Sequence, residues 1–263
     1  MANLNNPAGR LVYWLEKGQQ REMNQSAMGE WCKVWGLDAG RAVDRVECMR
    51  RGAMLMQLAQ DVRHEAEQLP DAYHPEVMLT HFGEIETALD QFTVLPSNAM
   101  QAMFGQIQGT GWQCLRMLDA MLSTHRFERI VAEPEVKDHI DQVRELIAEI
   151  LGDEDLDRVL KRYIVARLRD VERALIDALI TGSGGLELAA NSLFGAAQRE
   201  HDLWDRIAGT KWAPRIGAAW MAIVTTLGAV GAVPALLPGD DAKPIEVNNT
   251  VVVDDSESGI ADP

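Results

Sequence analysis

Residues Ile216 to Gly239, IGAAWMAIVTTLGAVGAVPALLPG, contain no charged side chain, with Lys211 and Arg215 just before them and Asp240 and Asp241 directly after. At about 1.5 Å per helical residue the run reaches across a hydrocarbon core of roughly 30 Å. Its reading is a transmembrane helix, bounded at 215–238, with Ile216, Trp220, Ile223, Leu227, Val230, Val233 and Leu237 in the membrane. A competing reading is a helix buried in a large all-α core, because the run is rich in Ala and Gly and carries Pro234. Against it stands the scarcity of polar groups, which are essentially Thr225 and Thr226, whose hydroxyls can bond back to the helix backbone.

Within the run, Ala218 and Ala222, Thr225 and Ala229, and Gly228 and Ala232 are small residues four apart. That spacing lets helix backbones approach closely and suggests a homo-oligomer formed through the span. Charge is asymmetric about it: Arg199, Arg206, Lys211 and Arg215 lie on the N-terminal side, whereas the tail, 239–263, holds one Lys and seven acids. By the positive-inside tendency the N-terminal body sits in the cytosol and the tail crosses the cytoplasmic membrane. Trp204, Trp212 and Trp220 approach and enter the run where an interfacial aromatic belt is expected. The tail reads as disordered, although IEVNNTVVV at 245–253 has strand character.

Upstream, nearly every segment reads helical. Asn6 and Pro7 form a cap and first-turn proline for a helix to Lys17, and a second helix, Ala27 to Trp35, stops at Gly36. Asp38 is the expected cap of a long helix reaching Gln68, with Val43, Val46, Met49, Met54, Leu58 and Val62 as its apolar face. Pro75 opens a helix through Met78, Phe82, Ile85, Leu89 and Phe92, and Ser97 caps the next, through Met100, Phe104, Ile107, Leu115, Leu118 and Leu122. Gly105, Gly109 and Gly111 weaken its middle. Pro134 starts a helix ending at Gly152, Asp153 or Asp155 caps another reaching Ile180, and Thr181 to Gly185 breaks the chain before a helix from Leu186 to Ile207. No stretch ahead of the span sustains a period of two. The expected architecture is all-α: an N-terminal helical hairpin at 1–37, a cytosolic helical bundle at 38–208, the transmembrane helix and the acidic tail.

The chain holds 25 Lys and Arg against 40 Asp and Glu, a formal charge of −15, which argues against a nucleic-acid partner. Cys32, Cys48 and Cys114 are an odd number without a CxxC pair, the usage of a reducing compartment. The start, MANLNNPAGRLVYWLEKGQQ, lacks the basic and apolar regions of a cleaved signal. One basic feature stands out. Arg158, Arg162, Arg169 and Arg173 fall within about 60° on a helical wheel, opposite Leu160, Ile164, Leu168, Val171 and Leu175. Three readings are open: these arginines meet acids on neighbouring helices, they form the solvated side of an amphipathic helix, or they contact an anionic surface or partner.

Catalytic patterns are missing. His64-Glu65 begins like a zincin helix, but Gln68 occupies the position of the second ligand. No Glu is followed three residues later by His, the pairing a di-metal carboxylate site requires, and Asp61/His64 and Asp71/His74 offer only Asp versions. Gly182, Gly184 and Gly185 follow no strand and precede no Lys-Ser or Lys-Thr, and His201-Asp202 is isolated. The expectation is a non-enzymatic, membrane-anchored interaction or sensing module, without cofactor or metal, whose partners are the lipid bilayer and an unidentified protein. The alternative is a membrane-damaging effector of defence or toxin type, whose C-terminal helix assembles in the bilayer, with the break at Thr181 to Gly185 as its hinge.

Overall fold

A computed structural model describes residues 4–125, 133–182 and 201–226. They are mostly helical, and no strand occurs among them. Helix α1 is Pro7–Gln19, where the Asn6 side chain accepts from the Gly9 N–H at 2.9 Å and proline occupies a first-turn position that needs no donor. Helix α2, Ala27–Val34, ends at Gly36, whose φ of 67° is the left-handed conformation that glycine adopts without penalty.

Helix α3, Ala42–Glu67, begins three residues later than expected, with Arg41 rather than Asp38 at the cap position. Asp38 does not cap it: its carboxylate turns back onto the Gly40 N–H at 2.8 Å, and Asp44 accepts from the Asp38 N–H at 3.0 Å. Leu58 and Val62 are buried as expected, but Val43, Val46 and Met49 are 62%, 66% and 43% exposed. The inward face is instead Cys48, Gly52, Leu55, Ala59, Val62 and Ala66, which recur at three and four residues. Its small members carry little hydrophobic weight in a sequence reading, yet they admit close neighbours. A Cβ on Gly52 would lie 2.3 Å from a ring carbon of Phe92.

The helix expected from Pro75 to Phe92 is divided into α4, Pro75–Leu79, and α5, Phe82–Asp90, followed by a 3₁₀ segment at Gln91–Ser97. The next expected helix is divided too, into α6, Met100–Phe104, and α7, Gly109–His125. Ser97 belongs to the 3₁₀ segment rather than serving as a cap. The opened start of α7 is capped from α5. Glu84 accepts the N–H groups of Gln108 and Gly111 at 2.8 and 3.2 Å and the Thr110 hydroxyl at 3.0 Å. Burial opposes ionisation of Glu84, but those hydrogen bonds hold its carboxyl below the usual range.

Helix α8 is Glu133–Gly152 and α9 is Arg158–Thr181. The cap of α9 is Asp157, not Asp153 or Asp155, and it accepts from Val159 and Leu160 at 3.1 and 3.0 Å. Gly182 ends the helix at a φ of 76°. Helices α10, His201–Ala208, and α11, Ala213–Thr226, complete the described chain.

Buried side chains gather in two clusters. The first draws on α1 to α7 and on Ile180, around Trp31, whose ring stands 4.9 Å from Trp35 and 5.0 Å from Phe92. The second joins α8 and α9 to Ile207 and Trp212, with Ile216 and Ala219 packed against it. Helix α9 links the two. From α1, Trp14 donates to the Leu179 carbonyl at 3.0 Å and the buried Arg10 to the Ile180 carbonyl at 3.1 Å, so a cation covers the negative end of α9. From α3, Arg50 grips Asp177 with both terminal nitrogens, at 2.5 and 2.7 Å.

Candidate functional site

The apolar run enters the described structure as α11, and its start is docked onto the turn between α8 and α9. Asp153 Oδ2 accepts from the Trp212 indole at 2.7 Å and pairs with Lys211 Nζ at 3.1 Å. Arg206 pairs with Asp157 at 3.0 Å. Arg215 holds Glu149 with two nitrogens, Nη2 at 3.1 Å from Oε1 and Nη1 on Oε2. Each basic residue that flanks the run within the described chain therefore has an acid of the α8–α9 tip as its partner. Arg199 lies outside the described residues.

The order of these contacts fixes direction. Trp212 meets Asp153 and Arg215 meets Glu149, so α11 runs back along α8 in the opposite sense. The Trp212 hydrogen bond lowers the carboxyl pKa of Asp153 against a smaller opposing effect of burial, and Lys211 adds to the lowering. The Leu160 N–H, ahead of Arg206, does the same for Asp157. Both tip carboxylates are thus ionised and engaged at neutral pH.

Of the residues read as membrane-spanning or helix-packing, Ile216 is half-buried and Ala218 is exposed. Trp220, Ala222, Ile223 and Thr225 lie on the backbone of α11. Leu227, Gly228, Ala229, Val230, Ala232, Val233 and Leu237 lie outside the described residues, as does the tail. Among the described residues no helix is long and apolar enough to cross a membrane.

The four arginines of α9 do not meet acids of neighbouring described helices, which leaves the solvated-face and anionic-contact readings. Arg158, Arg162, Arg169 and Arg173 are all exposed, and none pairs with a described residue. The acids of α9 are committed to other arginines: Asp170 to Arg167 at 3.2 Å, Glu172 to Arg144 at 2.6 Å and Asp177 to Arg50. Every other described arginine has a partner within the protein, from Arg10 on the α9 carbonyls to Arg63 on Glu86 and Arg116 on Glu16.

A buried polar group went unrecognised in the sequence. Asn6 Nδ2 donates to the Asp119 carboxylate at 3.0 Å, Asn5 donates to the Ser123 carbonyl at 3.4 Å, and Asp119 is 5% exposed. It ties α1 to α7. The opening Asn-Asn-Pro gave only the cap as a signal, because the partners stand more than a hundred residues away.

A shallow groove of about 550 Å³ over α7, lined by Gln19, Trp112, Arg116 and Met117, offers no nucleophile beside a base, and Arg116 is paired with Glu16 at 3.0 Å. Cys32, Cys48 and Cys114 are buried, and desolvation raises each thiol pKa, the opposite of an activated nucleophile. Among the described residues no group of three His, Cys, Asp or Glu is placed to hold a metal ion. Comparison with known proteins finds no matching family model, no similar curated protein and no similar solved structure.

Proposed function

We propose that this protein is a membrane-anchored α-helical interaction or sensing module without catalysis. The observation carrying the reading is the uncharged run Ile216 to Gly239, whose start is held by named ion pairs. The run supplies anchorage and self-association through its small residues, with the body on the cytosolic side and a protein partner bound to it.

Magnitudes bear on how anchoring works. If Ile216 and Ala219 stay on the second cluster, the run from 220 to 237 extends about 27 Å as a helix, just short of a roughly 30 Å hydrocarbon core. Helix α8, alongside which α11 lies, carries Glu135, Lys137, Asp138, Asp141, Arg144, Glu145 and Glu149 and cannot follow it into lipid. Full insertion therefore includes release of α11 from α8. The test is carbonate extraction of membranes from cells expressing the intact chain, with protease access to each end. Retention in the membrane pellet with the tail protected is expected. A chain extracted into the supernatant overturns the reading and favours the buried-helix alternative.

The docked start of α11 also favours a second reading, a membrane-damaging effector whose insertion is held back until the tip contacts break. Rapid depolarisation of expressing cells, requiring residues 216–237 and hastened by Asp153→Ala, is its expected signature. Harmless accumulation at the membrane rejects it.

A further inference from the structure

Helix α9 presents one face on which Arg158, Arg162, Arg169 and Arg173 stand exposed and unpaired with any described residue, spread over about 22 Å of helix. We propose that this face binds the anionic headgroups of a bilayer, laying α9 along the membrane surface. The choice of a bilayer over another polyanion rests on the anchoring reading above; the choice of an anion rests on the arginines themselves.

The selectivity of the pairing carries the argument. In a chain of charge −15 an exposed arginine has an abundance of acids to meet, and the others described here are satisfied. The four that remain share one face, and the acids of α9 are taken by Arg50, Arg144 and Arg167. Val159 and Ala166 share that side of the helix, and Val159 is 62% exposed, so apolar surface lies beside the charge. Guanidinium groups match phosphate oxygens in a two-pronged geometry. The scaffold is also preset: Arg10, Trp14 and Arg50 fix the far end of α9, and Asp157 caps its start. The overall negative charge does not defeat the contact. At physiological ionic strength the screening length is about 8 Å, so surfaces turned away from the bilayer add little repulsion.

The test is co-flotation of the purified full-length chain with phosphatidylcholine vesicles, with and without phosphatidylserine, at low and high salt. The comparison protein carries Arg158→Gln, Arg162→Gln, Arg169→Gln and Arg173→Gln, with a fourfold Arg→Lys version as control. Since these side chains are exposed and unpaired with any described residue, both versions are expected to melt like the wild type. Each arginine near an anionic surface is worth about a fivefold gain in partitioning, and four together several hundredfold. The expected result is a strong, salt-sensitive preference for anionic vesicles that the Gln version loses and the Lys version largely keeps. Equal binding to both vesicle types, or a preference unchanged in the Gln version, overturns the proposal. So does retention on immobilised polyglutamate without any vesicle preference, which assigns the face to an acidic polypeptide. Failure of the anchoring reading looks different: association with neutral vesicles disappears while the anionic preference persists.

Discussion

Trp212 donates its indole hydrogen to Asp153 at 2.7 Å, joining the start of the apolar helix to the turn between α8 and α9. The same carboxylate pairs with Lys211, so a single side chain serves two residues of the docked segment. Replacing Asp153 with Ala removes both partners at once. Faster backbone hydrogen exchange is expected across residues 205–219, with α1 to α7 unchanged; uniform protection throughout the chain would show that the tip contacts do not hold the helix.

Acidification gives a second check on the same contact. Asp153 and Asp157 are held below the ordinary aspartate value of 3.8, so their contribution is complete above it and lost as pH falls through the lowered values. Protection factors across 205–219, taken against the intrinsic exchange rate at each pH, are therefore expected to stay constant from about pH 8 to 5 and to fall only below the ordinary aspartate range. A midpoint near neutrality would point to a histidine and contradict this assignment.

Glu47 sits between Arg50 and Arg51 at the junction of α3 with α9. Burial raises its pKa, but the hydrogen bonds from Arg50 and Arg51 outweigh that and bring it from 4.5 down to about 2. A depressed carboxyl stabilises the fold above its unfolded value and ceases to do so as pH drops from 4.5 toward 2. Chemical denaturation across that window is expected to show a steeper loss of stability for the wild type than for Glu47→Gln. Parallel curves would remove Glu47 from the account.

Gly52 and Gly83 should respond to alanine in opposite directions. A methyl group at Gly52 meets Phe92 at 2.3 Å in a filled interior, and overpacking of this kind costs about 1–3 kcal/mol. Gly83, exposed on α5, has nothing within 4 Å, so alanine there gains up to about 1 kcal/mol from helix propensity. Thermal melts of the two single variants decide it: a Gly52→Ala protein as stable as the wild type would mean that Phe92 moves freely.

Asn6 acts both as helix cap and as donor to the buried Asp119. Loss of a cap costs about 1 kcal/mol, and a buried acceptor deprived of one donor costs about 1–3 kcal/mol more. Asn6→Ala should therefore lower stability by clearly more than Ser26→Ala, whose cap on Gly29 is exposed. Asn6→Asp keeps the cap but brings a second carboxylate to Asp119, so it too is expected to destabilise at neutral pH. An Asn6→Asp variant as stable as the wild type would show that the Asp119 contact contributes nothing.

Local signals in the chain determined the helical character of the fold and many of its boundaries. Asn6 with Pro7, Gly36 and Gly182 act through their own backbone angles and nearest N–H groups, so no distant partner is needed to read them. The uncharged run from Ile216 and the one-sided arginines of α9 were legible for the same reason, being patterns of spacing along one helix. Only the tertiary structure decided which stripe of α3 turns inward, because Gly52 and Ala59 matter through what packs on them rather than through their own hydrophobicity. It also decided that α7 begins where Glu84 of α5 reaches its free N–H groups, and that Arg206, Lys211 and Arg215 meet acids of the α8–α9 turn. Those pairings join residues tens of positions apart, and charge complementarity alone does not select among the many acids this chain offers.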